Sequence, residues 1–146
     1  MPNHCFNRIT ISTGNTDSQN LAVLVDSLKN EKEETCFDLN AIVPIPPELE
    51  NIGWNEAKEL NEIVSAQYKR DYGADNWFDW RVLHWGTKWN TWDCTIEEEE
   101  DDYVVFAFLT AWSPPTEAIE VLREQCPDFH IRAFFDEPGM EVGGYY

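Results

Sequence analysis

Basic residues are scarce in this chain. Ten Lys and Arg stand against 28 Asp and Glu, giving a net charge of −18 and a pI near 4.2. That shortage all but excludes direct binding of DNA, RNA or anionic lipid, because neutralising phosphates takes clustered Lys and Arg. Long apolar runs are missing as well, and none nears the roughly 18 residues of a membrane span. The start, Met1-Pro2-Asn3-His4, has neither the basic residues nor the apolar stretch of a signal peptide. The four cysteines (Cys5, Cys36, Cys94, Cys126) form no C-x-x-C. They are expected to be reduced, mostly buried thiols in a cytoplasmic protein. Two disulfides are the alternative, disfavoured in a chain this long without an export signal.

Catalytic signatures are also absent. No G-x-S-x-G, H-E-x-x-H or Gly-rich phosphate loop occurs. Cys126 and His130 have a C-x3-H spacing, but Pro127 breaks it, and no zinc signature results. The acids lack EF-hand spacing. His84 beside Asp79 or Asp93 would make an acid–base pair, yet a hydrogen-bonded structural histidine is the commoner outcome in an aromatic-rich chain. No cofactor and no metal is expected, and a binding protein is expected ahead of an enzyme.

What is present supports a fold. Hydrophobic residues make up 42% and aromatics 14%, too many for a disordered chain, and 146 residues suit one domain spanning 1–146. Residues 5–12 alternate as a strand with Cys5, Asn7, Ile9 and Ile11 on one face. Thr16 with Gln19 forms a capping-box pattern before a helix carrying Leu21, Leu24, Val25 and Leu28. Residues 37–43 read as a short extended segment stopped by Pro44, Pro46 and Pro47. A second helix begins after Asn55, with Leu60, Ile63, Val64, Tyr68 and Tyr72 in period, early acids, late bases and Gly73 past its end. Residues 74–90 read as an aromatic loop.

Residues 91–97 alternate as a strand that faces Trp92, Cys94 and Ile96 together, and residues 103–112 form the most apolar strand. Ser113-Pro114-Pro115 opens a last helix with Ala118, Ile119, Leu122 and Cys126, and residues 129–136 form a final strand. With residues 31–90 set aside, the order is the α+β, ferredoxin-like βαββαβ arrangement on an antiparallel sheet. The segment 31–90 is then a helix-containing, Trp-rich insertion between the first helix and the second strand. Because residues 103–112 are apolar on both faces, the insertion is expected to cover the sheet face that the helices leave bare.

Two groups of residues are candidates for function. Residues 91–146 hold 14 acids and 2 bases, two-thirds of the excess charge. The run Glu97, Glu98, Glu99, Glu100, Asp101, Asp102, followed by Glu117, Glu120 and Glu124 on the last helix, would bind a partner with a basic surface. The bland alternative is a solvated hairpin tip that discourages aggregation. Mimicry of nucleic acid needs concentration of charge. Spread over ~7,700 Å² of surface, 18 charges are about fourfold more dilute than the ~110 Å² per charge of duplex DNA. The second group is a possible pocket from His84, Trp85, Lys88, Trp89, Trp92 and Trp112, where rings and one cation would suit a small anionic ligand in a ligand-binding or hydrolytic protein. Packing of the insertion is the bland reading of the same tryptophans.

Several motifs resemble the YubB-like family with a ferredoxin-like domain, carried on plasmids and phages. They are Met1-Pro2-Asn3 with Cys5 and Asn7, Ile42-Val43-Pro44-Ile45-Pro46, and Trp85-Gly86-Thr87-Lys88-Trp89-Asn90. Thr110-Ala111-Trp112-Ser113-Pro114-Pro115 and Glu137-Pro138-Gly139 complete the set. His4 and His84 depart from the Trp and Asn expected there. The resemblance implies the fold and a mobile-element origin, and it brings no catalytic residues. Small acidic proteins in that setting are often inhibitors of host defence, which is an analogy of context.

Overall fold

The structure is a computed structural model and describes residues 3–146, so Met1 and Pro2 of the first motif lie outside the described residues. Five strands form one antiparallel sheet in the order β2-β3-β1-β4-β5. They are β1 His4–Ser12, β2 Trp92–Glu99, β3 Tyr103–Ala111, β4 His130–Glu137 and β5 Val142–Tyr145. Helices α1 (Ser18–Ser27) and α6 (Thr116–Gln125) supply the two crossovers, so the ferredoxin-like order holds. The fifth strand was not expected. Its segment carries Gly143 and Gly144, which weaken the alternating pattern by which a strand is recognised.

Alternation places β1 well: Cys5, Asn7, Ile9 and Ile11 are all buried, and Ile9 and Ile11 pair with Phe106 and Val104 of β3. Leu21, Val25 and Leu28 of the α1 segment, and Ala118, Ile119 and Leu122 of α6, close over that face. Each of the Leu, Val and Ile side chains stabilises by roughly 1.5–3 kcal/mol when fully buried. The cap of α1 is Asp17, whose carboxylate accepts from the Asn20 N–H at 2.9 Å, one residue later than the expected Thr16. Thr16 instead takes the Asn20 side chain, so both residues serve the same helix start.

The insertion departs most from expectation. It holds four helices: α2 Leu39–Ile42, α3 Trp54–Ala57, α4 Glu62–Tyr72 and α5 Trp77–His84. Within the segment 37–43, read as extended, Leu39–Ile42 are helical because the Asp38 carboxylate caps them at the Asn40 N–H. Residues 77–84 are helical for the same reason, with Asn76 accepting from the Asp79 N–H at 2.8 Å. Asx capping outweighed the aromatic density that suggested a loop. Gly73 ends α4 at φ +83°, the left-handed cap expected of it. Ile63 is exposed despite its helical period, and α4 carries no buried residue. Asp75 ties α4 to α5, accepting from Ser65 at 2.6 Å and lying 3.8 Å from Lys69. Burial raises the Asp75 carboxyl, but Ser65, Asn76 and Lys69 outweigh it and hold it below its ordinary value.

The insertion also covers the wrong face. Phe37 stacks on Phe108 (4.8 Å between centroids) and meets Phe106 edge-on, and Trp80 and Trp85 join the same buried cluster as α1 and α6. It therefore completes the helical layer, and the other sheet face stays open. The expectation that little open sheet remains is corrected. A disulfide between Cys36 and Cys94, with Cα atoms 5.7 Å apart, fastens the insertion to β2. The expectation of four reduced thiols is corrected with it; only Cys5 and Cys126 are free. Spacing along the chain gave no sign of it, because the fold alone brings residues 58 apart together. No helix among the described residues is long and apolar enough to cross a membrane. Disulfides are rare in cytosolic proteins, so this bond removes one support of the expected cytoplasmic address.

Candidate functional site

The acidic run divides between strand and turn. Glu97, Glu98 and Glu99 belong to β2, and residues 100–102 form the tip, closed by the Glu100 N–H to Tyr103 carbonyl bond at 2.9 Å. All six side chains are exposed. Among the described residues only Glu97 has a cationic partner, Arg8 at 2.9 Å. Glu98 accepts from the Tyr103 hydroxyl at 2.9 Å, and that bond, with the Glu98 charge behind it, raises the Tyr103 phenol above its ordinary value. The hairpin leans on α1 across a hollow lined by Ser18, Ala22, Glu99 and Glu100. Glu117, Glu120 and Glu124 are exposed on the outer side of α6, which packs on α2, α5 and β4. The two acidic groups thus reach solvent on different elements.

The expected aromatic pocket is partly dispersed. Trp85 is 1% exposed, and its Nε1 donates to the Val43 carbonyl at 2.8 Å, so it is a core residue. His84 donates from Nε2 to the Tyr72 carbonyl (2.9 Å) and packs on Trp80, a structural role with no Asp partner among the described residues. Lys88 lies 4.5 Å from the Trp89 ring centre, and Trp92 sits between Trp89 and His4. Trp92 does not share a face with Cys94 and Ile96, as expected from alternation. A register shift around Asp93, at φ +48°, pairs Trp92 with Leu109 and turns it toward His4, whose alternation is that of the open face.

Trp112 leaves the strand at φ +69° with nearly half of its surface exposed. The Ser113 N–H bonds back to the Ala111 carbonyl at 2.8 Å, which makes a γ-turn, an uncommon and strained conformation for a bulky residue. Thr110 and Thr87 brace it through the Ser113 and Ala111 carbonyls. Gly86, at φ +93°, faces the Glu117 carboxylate and the Thr116 N–H so closely that a Cβ has no room. Two of the sequence motifs therefore meet at the start of α6.

The largest feature not anticipated is the open sheet face. Phe6 and Phe134 stand outward on central strands, 49% and 39% exposed. With Ala107 and Leu109 they floor a depression of about 500 Å³, with Arg8 rising between Ala107 and Phe134 and with Asp93, Glu97 and Asp136 at its margins. Register explains the grouping: Phe6 lies opposite Leu109 on one side and Asp136 on the other, and Arg8 lies opposite Ala107 and Phe134. The sequence did carry a signal for it. On β1 and β4 the residues off the core face include two phenylalanines where a solvated sheet would place polar groups.

Behind the opposite face lies a buried polar cluster. Asn7 donates to Thr110 Oγ1 at 2.9 Å and accepts from the Tyr146 hydroxyl at 2.9 Å. Burial pushes the Cys5 thiol up to about 11, opposed by a Thr110 hydrogen bond and aided by Glu137 and Asp136. Burial likewise raises the Tyr146 phenol. A raised folded-state value means that the unfolded chain loses the proton first. The stabilisation is therefore whole below pH 9 and is lost as pH rises toward 11. Urea unfolding is expected to show about 2 kcal/mol less stability at pH 11 than at pH 8, with a flatter profile in Cys5→Ala.

No curated protein sequence matches the chain. A family model described as the ferredoxin-like domain in Api92-like protein matches residues 87–146. Among solved structures, the crystal structure of a protein Api92 from Yersinia pseudotuberculosis superposes with a TM-score of 0.52. That match covers 99% of this chain and 93% of that one at 11% identity, so it speaks for the fold alone. From Thr87 onward this chain is similar in sequence to the ferredoxin-like domain of Api92-like proteins, and as a whole it shares their α+β architecture.

Proposed function

We propose that the chain is a non-catalytic, acidic protein-binding module that engages a basic surface on its partner. One observation carries the reading: the β2–β3 hairpin presents six consecutive exposed carboxylates, and five of them have no cationic partner among the described residues. Such a concentration of unpaired charge repels itself in the free protein, and a cationic partner would relieve it. The resemblance seen in the sequence gives a narrower form, in which a mobile-element inhibitor occupies the nucleic-acid-binding surface of a host or defence protein. A pocket for a small anionic ligand has weaker support, since Trp85 is buried and the Lys88 ammonium already lies over Trp89.

The test is affinity for basic nucleic-acid-binding proteins across a salt series, with Glu98→Gln/Glu99→Gln/Glu100→Gln alongside. Raising salt from low to physiological strength is expected to weaken binding about tenfold or more, and the triple variant should bind weakly at every salt. Affinity indifferent to both changes defeats the proposal.

A further inference from the structure

The open sheet face combines an apolar floor with acidic margins, and its dimensions suit one kind of guest. Phe6, Leu109, Ala107 and Phe134 make the floor, and the Arg8 side chain rises between Ala107 and Phe134 to pair with Glu97 at 2.9 Å. Asp93 and Glu97 stand on the β2 side and Asp136 on the β4 side. From β2 across β3 and β1 to β4 there are three strand spacings of about 4.8 Å, roughly 14 Å in all. An α-helix with its side chains is about 10 Å across. A helix laid along β1 would therefore have carboxylates at both shoulders. Asp93 and Asp136 have no ion-pair partner among the described residues, and Glu97 is held by Arg8. Toward the far end the face changes character: Arg132 donates to the Tyr145 hydroxyl at 2.9 Å and lies over that ring, so its cation is engaged within the chain.

We propose that this face is a docking groove for a basic amphipathic helix of a partner protein, which sets an apolar stripe on Phe6, Leu109 and Phe134 and Lys or Arg beside Asp93 and Asp136. Recognition of this kind reads residues at i, i+3, i+4 and i+7 of the guest. The inference rests on the reading of the chain as an acidic binding module, and it adds a contact on the sheet to the one at the hairpin.

The probe is a labelled 18-residue Leu/Lys peptide with leucine at helical spacing, compared with a scrambled peptide of the same composition. Binding is followed by fluorescence anisotropy and by amide shifts of the labelled protein. The patterned peptide should bind at least tenfold tighter than the scrambled one, with shifts concentrated on Phe6, Arg8, Ala107, Leu109 and Phe134. Asp93→Asn with Asp136→Asn, and separately Ala107→Phe, should each weaken it about tenfold while the melting temperature shows that both variants fold. Equal binding of the two peptides, or patterned binding that survives both variants, overturns the groove. If the hairpin triple variant then abolishes binding, the acidic module stands and only its docking site is wrong. Failure of both peptides to bind at low salt removes the groove, while the salt series with basic nucleic-acid-binding proteins decides the module separately.

Discussion

Replacing Trp85 by alanine is expected to cost about 4 kcal/mol of stability, within the range measured for large buried aromatics. The indole is 1% exposed and joins three elements. Its Nε1 bonds the Val43 carbonyl that follows α2, its ring meets Trp80 of α5 edge-on at 5.8 Å, and its carbonyl accepts from the Ala118 N–H of α6. The Arg81 guanidinium lies 5.1 Å from the same ring, and burial lowers that group below its ordinary value. Truncation would open a cavity, orphan the Val43 carbonyl and strip Arg81 of one of its two aromatic faces, the other being Trp77. Trp85→Phe keeps most of the volume and should cost about 1–2 kcal/mol through the lost hydrogen bond. Denaturant midpoints of the two variants measure the difference. Equal, small losses in both would show that this junction is slack.

Reduction of Cys36–Cys94 is the second large effect. The bond closes a loop with a sequence separation of 58, for which chain entropy of the unfolded state gives about 4 kcal/mol. For a chain near 150 residues that is a fall of about 10 °C in melting temperature. A reducing agent, or Cys36→Ser with Cys94→Ser, should produce it. Apart from the disulfide, the register near the junction is held by Asn90, which bonds the Leu39 N–H and the Asp38 carboxylate, and by the Thr91 hydroxyl on the Phe37 carbonyl. The reduced protein should therefore keep its fold at low temperature, with faster amide exchange along residues 31–45. A melting point unmoved by reduction would mean that these hydrogen bonds alone secure the insertion.

Which features the sequence disclosed follows from the range of the forces involved. The β1, α1 and α6 pattern was legible because a two- or 3.6-residue period reports burial locally. Gly73 and the charge order of α4 were legible for the same reason. Helices α2 and α5 were not, since one Asx side chain at Asp38 or Asn76 decided them against the apparent composition. The twist of Trp92 out of line with Cys94 depends on a bulge that only pairing with β3 imposes. The disulfide and the identity of the open face are matters of tertiary placement. Alternation shows that Phe6 and Phe134 leave the core side, but it cannot show that the insertion stacks with the helices and leaves them uncovered. The acidic run was legible as charge, and its division between a strand and a turn was not.

The edges of the sheet have a consequence for how copies of this chain coexist. One rim is β2, kinked by two register shifts and lined by Glu97, Glu98 and Glu99; the other is β5, four residues long with two glycines. Neither offers a straight, neutral backbone to a neighbour, so an exposed apolar floor can be displayed at high concentration without the molecules zipping together. That protection is electrical on one side and merely a matter of brevity on the other. It is strongest far above the isoelectric point near 4.2, and acidification brings the molecules within reach of one another from the β2 side first.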